Sequence, residues 1–285
     1  MRKLIATVCA GVGIFAANAE TIDLNGVART LTSADDLTSA TTYTNTGDTV
    51  VDLTITADTA EKLVVDAVIA GNIRVVKAGD GRLRLNAANT YAGGTLWNAG
   101  YLEAGTLTAF GAAKTTVTCQ TSGSERYFHL LAKGDYDYNF VFNNTNPIRW
   151  QTYDGVNVIG DITGDTSSEM MILGGGAKTF KNINLPNATL YFGSNALTVT
   201  NAVTVKKISA STCYGKKDWI DKTYEEWTKA VDETRAAAGT LHLKASGNSF
   251  DSFSGQYAGL SFYAAGGIPE RATFSWNNAC YNSSG

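Results

Sequence analysis

The chain is poor in the residues that most often carry out chemistry. Among 285 residues there are two histidines, His129 and His242, and four cysteines with no CxxC spacing. Structural zinc draws on clustered Cys and His, so a metal site of that kind is excluded. No Ser/His/Asp set suggests itself either. His129 reads as a half-buried strand residue, and His242 as an outward one between Leu241 and Leu243. Charge is scarce at 17% of residues, with a net value of −3. Nucleic acid and anionic membrane surfaces need clustered Lys and Arg, so neither is a partner. Three prolines leave little to interrupt strands. After the first 19 residues no apolar run approaches the roughly 20 residues of a spanning helix.

Residues 1–19 read as a cleaved export signal. Arg2 and Lys3 precede an uncharged apolar run from Leu4 to Ala16, and Ala17-Asn18-Ala19 is a small-x-small cleavage site. Removing 19 of 285 residues leaves 266, with a net charge of −5. Cys9 leaves with the signal. Cys119, Cys213 and Cys280 remain, so at most one bridge forms. Cys213–Cys280 is the candidate pair, the alternative being small buried thiols.

What the chain does have is Gly, Asn and Thr set at fixed offsets among short apolar strands. Residues 77–111 read KAGDGRLRLNAANTYAGGTLWNAGYLEAGTLTAFG. Leu83 and Leu85 point to one side of a strand, Arg82 and Arg84 to the other. Gly79, Gly81, Gly93 and Gly94 supply positive-φ corners. Asn89 turns a corner by bonding its own backbone, and Tyr91 fills the next inward position. A degenerate echo runs over 239–275. Gly239-Thr240-Leu241-His242-Leu243 matches Gly81 to Leu85, Asn248 and Phe250 match Asn89 and Tyr91, and Ala258-Gly259 meets Ala99-Gly100. Turn signals recur every eight to twelve residues or so between other strand-like runs, as all-β packing requires. The segment 218–238 departs from this pattern. Thr223 and Glu226 form a capping box, Tyr224, Trp227 and Val231 share a face, and Gly239 stops the run. It predicts a helical insertion that packs its aromatic stripe on the strands or covers an open edge.

Residues 77–111 resemble the autotransporter-associated β-strand repeat of passenger regions. The residues that carry the likeness are Gly79, Gly81, Leu83, Leu85, Asn89, Tyr91, Gly93, Gly94, Thr95, Ala99, Gly100 and Leu102. Leu96 and Trp97 stand where that family has small or β-branched residues. The resemblance implies an all-β, right-handed parallel β-helix over 20–285, exported and displayed or released by a Gram-negative-type bacterium. No C-terminal membrane barrel is readable, which leaves a fragment, a freely secreted relative or a protein retained by a partner.

The expected function is a structural or adhesive surface module with no cofactor. Its partner would be a glycan, a matrix or a cell-surface component, and its oligomeric state stays open. Trp97, Tyr101, Arg82 and Arg84 are the outward binding candidates. Trp150, Tyr153, Trp219 and Trp227 could also stack on sugars, or plug a core. The alternative is a β-helical lyase or glycosidase using Asp135 and Asp137, two carboxylates at i, i+2 on one strand face. Asp135-x-Asp137-x-Asn139 begins like a calcium loop, but the required Gly is Phe140 and the twelfth position is Asn146. Leu173 to Thr179 hints at a phosphate loop, but Ala177 precedes Lys178 and no helix follows, so it reads as a turn.

Overall fold

The computed structural model describes residues 19–58, 62–123, 126–174, 176–193, 196–211, 239–256 and 258–277. The signal segment up to residue 18, Cys213, Cys280, Trp219, Trp227 and the expected helical insertion at 218–238 lie outside the described residues. Every strand pairing is parallel, and among the described residues there is no helix. The chain winds into a β-solenoid of about ten turns with three faces.

Face I stacks Arg29–Leu31, Val51–Thr56, Ile73–Ala78, Thr95–Trp97, Thr116–Cys119, Asn139–Phe142 and Ile162–Thr163. Face II stacks Lys62–Val65, Arg82–Leu85, Tyr101–Ala104, Arg126–Leu130, Ile148–Thr152 and Glu169–Leu173. The long strands Ile183–Phe192 and Val203–Ser211 serve face I with their first halves and face II with their second, across a bulge between Leu185 and Thr189. Ser252–Gln256 and Thr273–Asn277 then continue face II. Face III begins with Glu20–Asp23, Thr41–Asn45 and Val68–Gly71. It resumes as Gly134–Tyr136, Val156–Val158, Ala177–Phe180, Ala196–Val199, Thr240–Leu243 and Gly259–Phe262.

Alternation decides what fills the spiral. Leu83, Leu85, Leu241 and Leu243 are fully buried, with Arg82, Arg84 and His242 on the outside. Tyr91 and Phe250 also point inward. In the middle turns the interior is aromatic. Phe128 packs on Trp97, Phe110, Phe140 and Trp150 at centroid distances of 5.1–5.8 Å. Tyr136, Tyr138, Phe140 and Phe142 all face this core. No helix among the described residues is long and apolar enough to cross a membrane.

The corners differ from the expectation in two ways. Gly79 and Gly94 do have positive φ, at 72° and 78°. Gly81 and Gly93 do not, and are required for another reason. A Cβ at Gly81 would lie 2.0 Å from the carbonyl oxygen of Asp58 on the preceding turn, and one at Gly93 would lie 2.6 Å from that of Ile73. The turns approach too closely there for a side chain.

Asn89 likewise reaches neighbouring turns rather than its own backbone. Its Oδ1 accepts from the Ile69 amide of the preceding turn (2.9 Å), and its Nδ2 donates to the Ala109 carbonyl of the following one (2.7 Å). Asn248 repeats the arrangement with Val203 N (3.0 Å) and Gly267 O (2.9 Å), and Asn45 does so with Gly26 N (2.9 Å) and Asn72 O (3.1 Å). Each is a buried amide that ties three turns together and satisfies backbone groups the strand ladders leave over. The look-alike stretches share this local form but not their place. Arg82–Leu85 lies on face II and Thr240–Leu243 on face III.

Among the described residues two lysines point inward. Lys77 stacks between Ile55 and Trp97, and its Nζ donates to the carbonyls of Ala78 and Gly79. Lys178 does the same at a later glycine-rich corner, donating to Gly174 O (3.0 Å) and Gly176 O (3.2 Å). This stretch is a turn followed by a strand. Burial pulls both ammonium groups down to about 8. A lysine whose folded pKa is depressed costs stability while charged; the cost begins to fall as pH rises past the folded value and is gone only above the unfolded one. Stability should therefore rise between pH 8 and 9.5, by about 1–2 kcal/mol after allowance for solvent screening. Above that range the buried tyrosines Tyr91, Tyr136 and Tyr138, raised by burial, act in the opposite sense. Urea midpoints across this range should show the rise in the natural chain and a flat profile in Lys77→Met/Lys178→Met. An equal rise in both would show that the two amines do not cause it.

Candidate functional site

Three of the four residues expected to face outward do so, and one does not. Trp97 is fully buried. Its strand alternates Thr95 inward, Leu96 outward and Trp97 inward, in line with Lys77 below and Cys119 above. The indole stacks on Phe128 at 5.6 Å, and its Nε1 donates to the carbonyls of Ala99 (3.0 Å) and Gly100 (2.9 Å). A large apolar ring with a satisfied N–H gains more from the core than from solvent. Trp150 is also core, whereas Tyr153 is exposed.

Arg82, Arg84 and Tyr101 stand on the outer side of face II, and parallel stacking surrounds them with residues from distant parts of the chain. Glu103 pairs in register with Arg84 below it and His129 above it. Although it points outward, it is only 1% exposed. Its Oε2 accepts from Arg84 Nε at 2.8 Å, and Oε1 lies 3.0 Å from His129 Nδ1 and 3.3 Å from Arg82 Nε. Burial alone would raise this carboxyl, but the hydrogen bonds from His129 and Arg84, with their charges, outweigh it and hold the pKa at about 2. The carboxylate is therefore charged at any ordinary pH.

Beside this cluster runs a second row. Lys62, Arg82, Tyr101, Tyr127 and Arg149 occupy successive turns. Arg82 lies over the Tyr101 ring at 5.9 Å, Tyr101 meets Tyr127 edge-on at 5.0 Å, and Arg149 lies over Tyr127 at 5.5 Å. Sequence reasoning missed Glu103, Tyr127 and Arg149. Alternation with Leu102 and Ala104 does put Glu103 outward. Its convergence with residues 19 and 26 positions away follows only from the stacking register.

The carboxylates weighed for catalysis do not share a strand as assumed. Asp135 lies on face III, within Gly134–Tyr136, and its Oδ1 accepts from Asn157 Nδ2 at 2.7 Å. Asp137 lies beyond that strand, at the corner leading to Asn139–Phe142 on face I. Among the described residues no group of three or more His, Cys, Asp or Glu side chains could hold a metal ion. Cys119 is buried and free, its thiol pushed up to about 11 by burial.

The family model of the passenger-associated-transport-repeat matches residues 75–109. That span covers the last four residues of the face I strand Ile73–Ala78 and all of Arg82–Leu85, Thr95–Trp97 and Tyr101–Ala104. No curated protein and no solved structure matches the chain.

Proposed function

We propose, from a β-solenoid that matches the passenger-associated-transport-repeat over residues 75–109, that this chain is an autotransporter passenger-like protein, exported and displayed at the bacterial surface as a structural or adhesive module, and that it catalyses no reaction of its own. The supporting observation is where the repeat residues go. Gly79, Gly81, Gly93, Gly94 and Gly100 let turns approach. Leu83, Leu85, Tyr91, Thr95 and Leu102 fill the interior, and Asn89 ties turns together. The matched segment is thus spent on building a stiff stack whose outer faces are free to differ. The outward residues of face II are the contact surface in this reading.

Two measurements test it. Protease added to intact cells of the source organism should degrade the chain and spare a periplasmic marker. Polysaccharides incubated with the purified chain should keep their size distribution, with or without Asp135→Asn/Asp137→Asn. Retention in the cytosol would overturn the export half. Shortened polymer that the double variant no longer produces would favour the enzyme.

A further inference from the structure

The outer rows of the solenoid are not equivalent. On face III, Asp135, Asn157, Thr179 and Thr198 follow one another in register, a neutral-to-acidic polar ladder. On face II the row Lys62, Arg82, Tyr101, Tyr127, Arg149 is cationic and aromatic instead. We propose that this row is a docking strip for an acidic polysaccharide, a polyuronate or sulfated chain, lying along the solenoid axis. The inference rests on the contact-module reading and gives it a partner class.

Three features carry it. The first is charge. Arg82 and Arg84 converge on the single carboxylate of Glu103, so the cluster keeps a positive surplus, and exposed Lys62 adds to it one turn below. The second is rigidity. The Tyr101 and Tyr127 rings brace each other and hold a guanidinium at either end, so the cations are fixed before any ligand arrives. The third is spacing. Successive turns are about 4.8 Å apart. A sugar unit in an extended polysaccharide advances by a comparable step, so each turn can meet one unit. An extended acidic peptide rises about 3.3 Å per residue with side chains alternating between faces, and falls out of step with the row.

The test uses the full chain with immobilised heparin and polygalacturonate as probes, dextran as the uncharged control and poly-glutamate as the peptide control. Binding to at least one acidic polysaccharide is expected, weakening as salt rises. It should fall tenfold or more in Arg82→Gln/Arg149→Gln and be unchanged in Lys181→Gln, which lies off the strip beside Asp161. Lys62→Glu reverses an exposed charge on the same row. It should weaken binding even if the double variant fails to fold. The proposal is overturned if neither acidic polysaccharide binds, if all strip variants bind as the natural chain does, or if dextran or poly-glutamate binds equally well. A chain found on the cell surface that binds neither probe sinks the strip alone. A chain confined to the cytosol, or one that shortens the probes, sinks the contact-module reading.

Discussion

Gly100→Ala should destabilise the solenoid by about 3–5 kcal/mol, as the sum of a left-handed backbone penalty and a forced overlap. Gly100 sits at φ 68°, and a Cβ there would lie 2.3 Å from Gly81 O, 2.5 Å from Gly79 O and 2.7 Å from Lys77 Nζ. Two of those atoms are backbone of the preceding turn, so relief would require prising adjacent turns apart. Gly26 is the internal control. Its φ is 76°, and a Cβ there meets nothing within 4 Å. Gly26→Ala should therefore show the conformational cost alone, about 1 kcal/mol. Chemical denaturation of the two variants separates the contributions. Equal losses would mean that turn-to-turn contact does not demand glycine at position 100.

Glu103→Gln should cost about 3 kcal/mol, because it leaves Arg82, Arg84 and His129 converging on a neutral amide in a place with little water. The same group makes stability depend on acid. Its folded pKa of about 2 lies below its ordinary carboxylate value, so its contribution is present above about 4.5 and is lost as pH falls toward 2. The natural chain should lose about 2–3 kcal/mol more than Glu103→Gln across that window, with solvent screening allowed for. Parallel pH curves for the two proteins would show that Glu103 is not the linked group.

Much of the fold could be read from the residues because alternation is a local signal. Leu83 and Leu85, like Leu241 and Leu243, announce an inward face without any knowledge of their neighbours. The likeness of residues 77–111 to a known repeat pointed to parallel coiling, and the three-faced stack agrees. Trp97, one of the outward candidates, is the exception, for it lies wholly inside. The strand parity that puts Thr95 inside puts Trp97 inside too. The Asn89–Asn248 correspondence was visible, but not that the two stand on different faces, since a face is set by how many corners precede a strand. The face II cluster was least legible. Glu103, Arg84 and His129 lie on three turns, and nothing local in the sequence says which residue of one turn rests on which of the next.

The asparagine ties carry one more consequence. Asn89 reaches back 20 residues to Ile69, and Asn248 reaches back 45 to Val203, yet both make the same bond with the same lengths to within 0.1 Å. The architecture thus registers bends, not the tally of amino acids between them. A longer path between Val203 and Asn248 is consequently no obstacle, because the same seam closes over it.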